Sequence, residues 1–112
     1  MPKAIIPRNP KNPAYKSIPD VLLGQLPKLY ATEKQDDPLA YVKLFTPDSS
    51  WTWYITEYDP EERLCFGLAI GHETELGYFS LCEIEEVRGP HGLPIERDLS
   101  WNPTPLSKCR QE

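Results

Sequence analysis

The chain has 112 residues, of which 39% are apolar and 26% charged, which suits one small globular domain. No run approaches the ~18 apolar residues of a membrane-spanning helix. The net charge of −5 is divided: Lys3, Arg8, Lys11 and Lys16 stand in residues 1–16 with no acid, while the rest holds eight basic and seventeen acidic residues. An acidic body disfavours unaided contact with phosphate and suits basic protein surfaces, whereas the arm prefers the opposite.

Prolines at 2, 7, 10 and 13 make residues 1–16 too broken for a helix, so an extended or disordered basic arm is expected there. A single α+β domain is expected over 17–106, with 107–112 as a tail. SIPDVLLGQLP predicts a short helix near 18–26, with Ser17 near its N-cap, Pro19 and Asp20 in its first turn, and Pro27 closing it. ATEKQDD is a polar loop. Strand character then appears at 39–46, 51–58 and 63–71, separated by TPDSS and DPEE, which predicts an antiparallel meander. A brief strand over 76–79 follows the turn GHETELG. Ser80 and Glu83 form an S-x-x-E capping box opening a helix over 81–87, with Gly89 beyond its end. LPIERDL (93–99) reads as an edge strand, giving a sheet of four to five strands.

The densest aromatic stretch is WTWYITEY, and its register decides what the rings do. With DPEE as a four-residue connection, Tyr58 opposes Arg63 and Trp53 opposes Leu68. One face then gathers Trp51, Trp53, Ile55, Leu64, Phe66, Leu68 and Ile70. The other gathers Thr52, Tyr54, Thr56, Tyr58, Arg63, Cys65, Gly67 and Ala69. A turn one residue longer would set both tryptophans over Gly67, Ala69 and Gly71 and divide the large apolar residues. The first register concentrates more apolar area on one side and is preferred. It makes the tryptophans core and leaves Tyr54 and Tyr58 on a smooth face beside Arg63, able to stack a base or grip a peptide. The competing expectation is that the N-terminal helix or Trp101 covers that face.

Little in the chain specifies chemistry. Cys65, Cys82 and Cys109 make neither an even disulfide set nor a CxxC pair, so reduced thiols and a cytoplasmic setting are expected. Cys65 and Cys82 read as small core residues, while Cys109 in the tail could be exposed. His72 and His91 sit in turns without metal-site spacing, and no cofactor or nucleotide motif appears. Acid pairs such as Glu57 with Asp59 or Glu73 with Glu75 could serve acid–base chemistry, but an acidic chain offers many such pairs. Arg88 is placed to satisfy carbonyls at a helix end. Arg97 would pair with a strand acid such as Glu57, or else bind phosphate or carboxylate. No catalytic or metal residue is assigned. The candidate binding residues are Tyr54, Tyr58, Arg63, Arg97, Glu57 and Asp59.

LPKLYATE, VKLFTPDSSWTWYITEYDPEE, GHETELGYFSL and EEVRGPHGLPIERDL together resemble a bacterial family known as domain of unknown function 2958, over roughly residues 26–106. The resemblance implies association with plasmids, phages and integrated elements, sometimes near antirestriction-type genes. It implies no assigned activity and no catalytic residues. The expectation is therefore a non-enzymatic interaction protein of a mobile element whose acidic body engages a host or element-encoded protein. The alternative is a nucleic-acid-binding accessory, using Lys3, Arg8, Lys11 and Lys16 for phosphates and the tyrosines for stacking. A third is a small hydrolase or deaminase-like enzyme using Glu57, Asp59 or His91.

Overall fold

Strands rich in β-branched and aromatic residues, divided by turn sequences, fold back on one another through the middle of the chain. In the computed structural model, residues 4–5 and 18–110 are described. In chain order they form β1 (Ala4–Ile5), α1 (Asp20–Leu23), β2 (Leu39–Ala40), β3 (Val42–Phe45), β4 (Thr52–Asp59), β5 (Leu64–Ile70), β6 (Thr74–Ser80), α2 (Leu81–Glu86), β7 (Val87–Arg88), β8 (Glu96–Arg97), β9 (Thr104–Pro105) and α3 (Leu106–Cys109). The main sheet is antiparallel and five-stranded, in the order β6-β5-β4-β3-β8. β1 pairs with β7 and β2 with β9 in two small ladders. Three short helices complete a single α+β domain, none long and apolar enough to cross a membrane. Lys3, Arg8, Lys11 and Lys16 lie outside the described residues.

Two helices follow from local chemistry, one less fully than expected. The Ser80 hydroxyl accepts the Glu83 N–H at 3.3 Å and opens α2, as the capping box requires. At its other end the Arg88 guanidinium donates to the carbonyls of Glu85 and Val87, each at 2.9 Å. α1 is a single turn whose N-cap is Pro19 rather than Ser17, with no side-chain cap. α3 begins after Pro105 and buries Leu106 and Cys109, so residues 107–109 are part of the packed structure and Cys109 is not exposed.

The β4–β5 register departs from the expected one. Trp53 opposes Ala69, Ile55 opposes Gly67 and Tyr58 opposes Cys65, rather than Trp53 facing Leu68 and Tyr58 facing Arg63. The pairing slips between Ile55 and Glu57, leaving Thr56 as the extra residue of a β-bulge, and its hydroxyl donates to the Phe66 carbonyl at 3.0 Å. Below the bulge both tryptophans do lie over the small residues. A Cβ at Gly71 would overlap the Trp51 ring, and the two indoles stack at 5.8 Å.

Because the bulge flips the faces, the sheet has a core on each side. One joins Trp53, Ile55, Tyr58, Cys65, Val42 and Leu44 to Ile18, Leu26, Leu81, Ile84, Val87 and Ile95. The other joins Tyr54 and Leu68 to Ala40, Leu106 and Cys109, with Ile70 and Trp101 against them. The expectation of one apolar face and one open tyrosine face is therefore corrected. Trp101 lies 5.3 Å from the Tyr54 ring and donates its indole N–H to the Ala40 carbonyl at 3.0 Å, closing that side. Cys82 is half-buried rather than core, while burial pushes the Cys65 thiol up to about 12 and keeps it unreactive.

The register makes a sharp demand at Gly67, where an added Cβ would run into the Tyr54 backbone carbonyl, whereas nothing lies within 4 Å of one at Gly77. Gly67→Ala should cost about 1–3 kcal/mol of stability, and Gly77→Ala should not lower it, as urea denaturation of both variants would show.

Candidate functional site

Beyond the bulge, Glu57 turns to the side of the sheet that carries Tyr54, Phe66 and Leu68. There Glu57 is 3% exposed, and its carboxylate is almost fully occupied. Oε1 accepts the Tyr30 N–H at 2.8 Å, Oε2 accepts the Thr32 N–H at 2.8 Å, and the Thr32 hydroxyl also donates to Oε2. One strand residue thus fastens the polar segment 28–37, whose ATEKQDD would otherwise lack a core anchor. Tyr30 is held in the left-handed region at φ 70°, an unusual conformation for a tyrosine. The cost of that conformation is offset by the charge-assisted bond to its N–H.

Fastening this segment creates a groove of about 610 Å³ between it, the β5–β6 face and α3. Its floor is Phe66, Leu76 and Tyr78, which share a face because Phe66 opposes Tyr78 and Leu68 opposes Leu76. The Phe66 and Tyr78 rings meet edge-on at 4.9 Å. Tyr30, Leu76 and Tyr78 are 63%, 50% and 49% exposed, so large apolar surfaces gather in the open here. A hydrogen bond with Tyr30 is the main cause that raises the Tyr78 hydroxyl above its ordinary pKa.

The rim is acidic. Glu33, Asp36 and Asp37 line it with the buried Glu57, against Arg110 among the lining residues. Asp37 accepts the Ser107 hydroxyl at 2.6 Å and the Ser107 N–H at 3.0 Å, tying the segment to α3. The side chains of Glu33 and Asp36 make no hydrogen bond or ion pair among the described residues. The groove thus puts unpaired carboxylates, exposed rings and an aliphatic side chain along one lining, and that chemistry suits a cation on an aliphatic stem: carboxylate for charge, ring face for cation–π contact, Leu76 for the methylenes.

Of the six binding candidates read from the sequence, Glu57 alone lines this groove. Tyr54 and Tyr58 are 1% and 4% exposed and offer no stacking platform. Tyr58 and Arg63 do come together, with the Arg63 Nε–H donating to the Tyr58 hydroxyl at 3.3 Å. The same guanidinium makes two bonds to the buried Glu85, at 2.8 and 3.2 Å, and reaches the Cys82 Sγ at 3.4 Å. This cluster fastens the β4–β5 turn to α2 and is occupied internally. Asp59 accepts the Glu61 N–H at 3.1 Å in that turn. Arg97 stands opposite Leu44 in β8, and its buried Nε has no hydrogen-bond partner; the expected pairing with Glu57 does not form. His72 lies edge-on to Trp51 at 5.9 Å, and the His91 N–H is held by Asp48 at 2.8 Å at the opposite end of β4 from Glu57. Tyr30, Tyr78, Leu76, Glu33 and Asp36 were missed by reading the sequence. A signal existed only for the β6 pair, where Leu76 and Tyr78 alternate with Glu75 and Gly77 on an exposed strand.

The sequence matches the family described as "Protein of unknown function (DUF2958)" over residues 19–110, and the chain belongs to that family. No curated protein and no solved structure matches it.

Glu57→Gln replaces an acceptor facing three donors with an amide, and should destabilise the fold by about 1–3 kcal/mol, with faster amide exchange at Tyr30 and Thr32. The Ser107 bonds hold the Asp37 carboxyl below its ordinary range. Its contribution is therefore fully present above the unfolded value of about 3.9 and is lost as pH falls through the lower folded value. NMR of the Ser107 amide should report release of α3 from the segment only in that acid window.

Proposed function

We propose that this protein is a non-enzymatic accessory of a bacterial mobile element, in an antirestriction- or defence-related setting, and that its acidic body engages a basic segment of a host protein. The mobile-element setting rests on the family resemblance. The binding reading rests on the groove: Glu33 and Asp36, which make no ion pair with any described cation, line it together with the exposed rings of Tyr30 and Tyr78. Exposed tyrosines beside a charged rim are the residues that dominate interface energetics. The same acids repel phosphate, and the rings expected to stack bases are buried, so the geometry favours a protein partner over nucleic acid.

Tagged protein should retain a bacterial protein from lysate after nuclease treatment. The Glu33→Gln, Asp36→Asn double variant, changed only at exposed positions, should keep its thermal midpoint and lose at least about tenfold in recovery, the effect of roughly 1.4 kcal/mol. Recovery that disappears with nuclease would instead support binding through the basic arm.

A further inference from the structure

The two edges of the main sheet are unlike. β8 is only two residues long, as protected edges often are. β6 runs seven residues, Thr74–Ser80, in continuous register with β5, and its other side has no strand neighbour among the described residues. Apart from the charged Glu75, TELGYFS contains none of the usual guards against strand addition: no proline, no lysine or arginine, and no bulge. Alternate groups along its free side are backbone donors and acceptors without a strand partner, and the edge borders the groove directly through Leu76 and Tyr78.

We infer that β6 is a docking edge: the partner adds an extended segment to it as a sixth strand, with basic side chains at alternate positions turned over the acidic groove. This rests on the proposed groove reading and specifies the partner's conformation. A strand added at ~4.8 Å from β6 would set every second side chain beside Leu76 and Tyr78. Those side chains would stand within reach of Glu33 and Asp36. The intervening ones would lie beside Glu75, Gly77 and Phe79, where Gly77 leaves open space. Charge selects the occupant. A second copy would bring another acidic rim toward this one, whereas a lysine- or arginine-bearing strand complements it. Backbone pairing supplies affinity and the groove supplies side-chain selection, as in other strand-addition complexes.

The probe is a peptide of alternating lysine and valine, eight residues long, titrated into the full chain by calorimetry with amide exchange followed by NMR. Binding should slow exchange at alternate β6 amides. N-methylation of one alternate set of peptide nitrogens should weaken binding at least tenfold, while methylation of the other set leaves it nearly unchanged. If both methylated peptides bind like the parent, the segment sits in the groove without strand pairing, which overturns the inference and leaves the groove reading standing. If one methylated set is lost but the Glu33→Gln, Asp36→Asn variant binds as tightly as the parent chain, strand addition stands and the acidic-groove reading fails. Absence of binding overturns the basic strand as occupant, as does slowed β6 exchange in concentrated protein alone, which would make the occupant a second copy.

Discussion

The carboxylate of Glu57 is the fixed point on which the exposed architecture depends. Its oxygens receive two backbone N–H groups and a hydroxyl from a segment that has few apolar residues of its own with which to anchor. A buried carboxylate without such donors would carry a large desolvation penalty, so segment and acid are mutually required. Remove either and Tyr30 loses its position beside Tyr78 in the groove, Asp37 loses its approach to α3, and the groove loses a wall. The bond network is structural, yet what it builds is a surface that nothing among the described residues covers.

A second fastening operates on the other side of the sheet. Arg63, in the left-handed region at φ 52°, turns its guanidinium to Glu85, Tyr58 and Cys82 and joins the β4–β5 turn to α2. The geometry is the bidentate one in which arginine surpasses lysine, and Glu85 is buried, so loss of Arg63 would strand a charge. The two acids on which the fold relies, Glu57 and Glu85, are thus satisfied internally. Glu33 and Asp36 on the groove rim make no such bond among the described residues, which separates them from the acids that hold the protein together.

Much of the framework was legible in the sequence because it rests on local rules. The strands came from alternation and turn residues, the α2 start from Ser80 and Glu83, and the Trp53 core position from its neighbours. The register was not legible. DPEE admits more than one turn length, and a bulge at Thr56 has no side-chain signature beyond a hydroxyl that can reach a carbonyl. That one slip exchanged the faces of Glu57 and Tyr58, so Tyr58 joined the core and Glu57 became an anchor, while Tyr54, ahead of the bulge, is buried by Ala40, Leu106, Cys109 and Trp101. The groove depended on contacts 25 and 27 residues apart in sequence and on α3, whose four residues carry no strong helix signal.

Thr56 has a consequence for how the chain tolerates change in length. It occupies one place in β4 without a counterpart in β5, so everything after it is one step out of phase with everything before. Deleting a single residue there would restore an unbroken ladder and perfectly ordinary backbone geometry. Ile55 would still oppose Gly67, Glu57 would still oppose Phe66 and Tyr58 would still oppose Cys65, so every side chain would keep its face and only the bulge and its bond to the Phe66 carbonyl would go. The strand thus carries one residue that its ladder does not need, and the chain can shorten by one at Thr56 without moving any neighbour between core and groove.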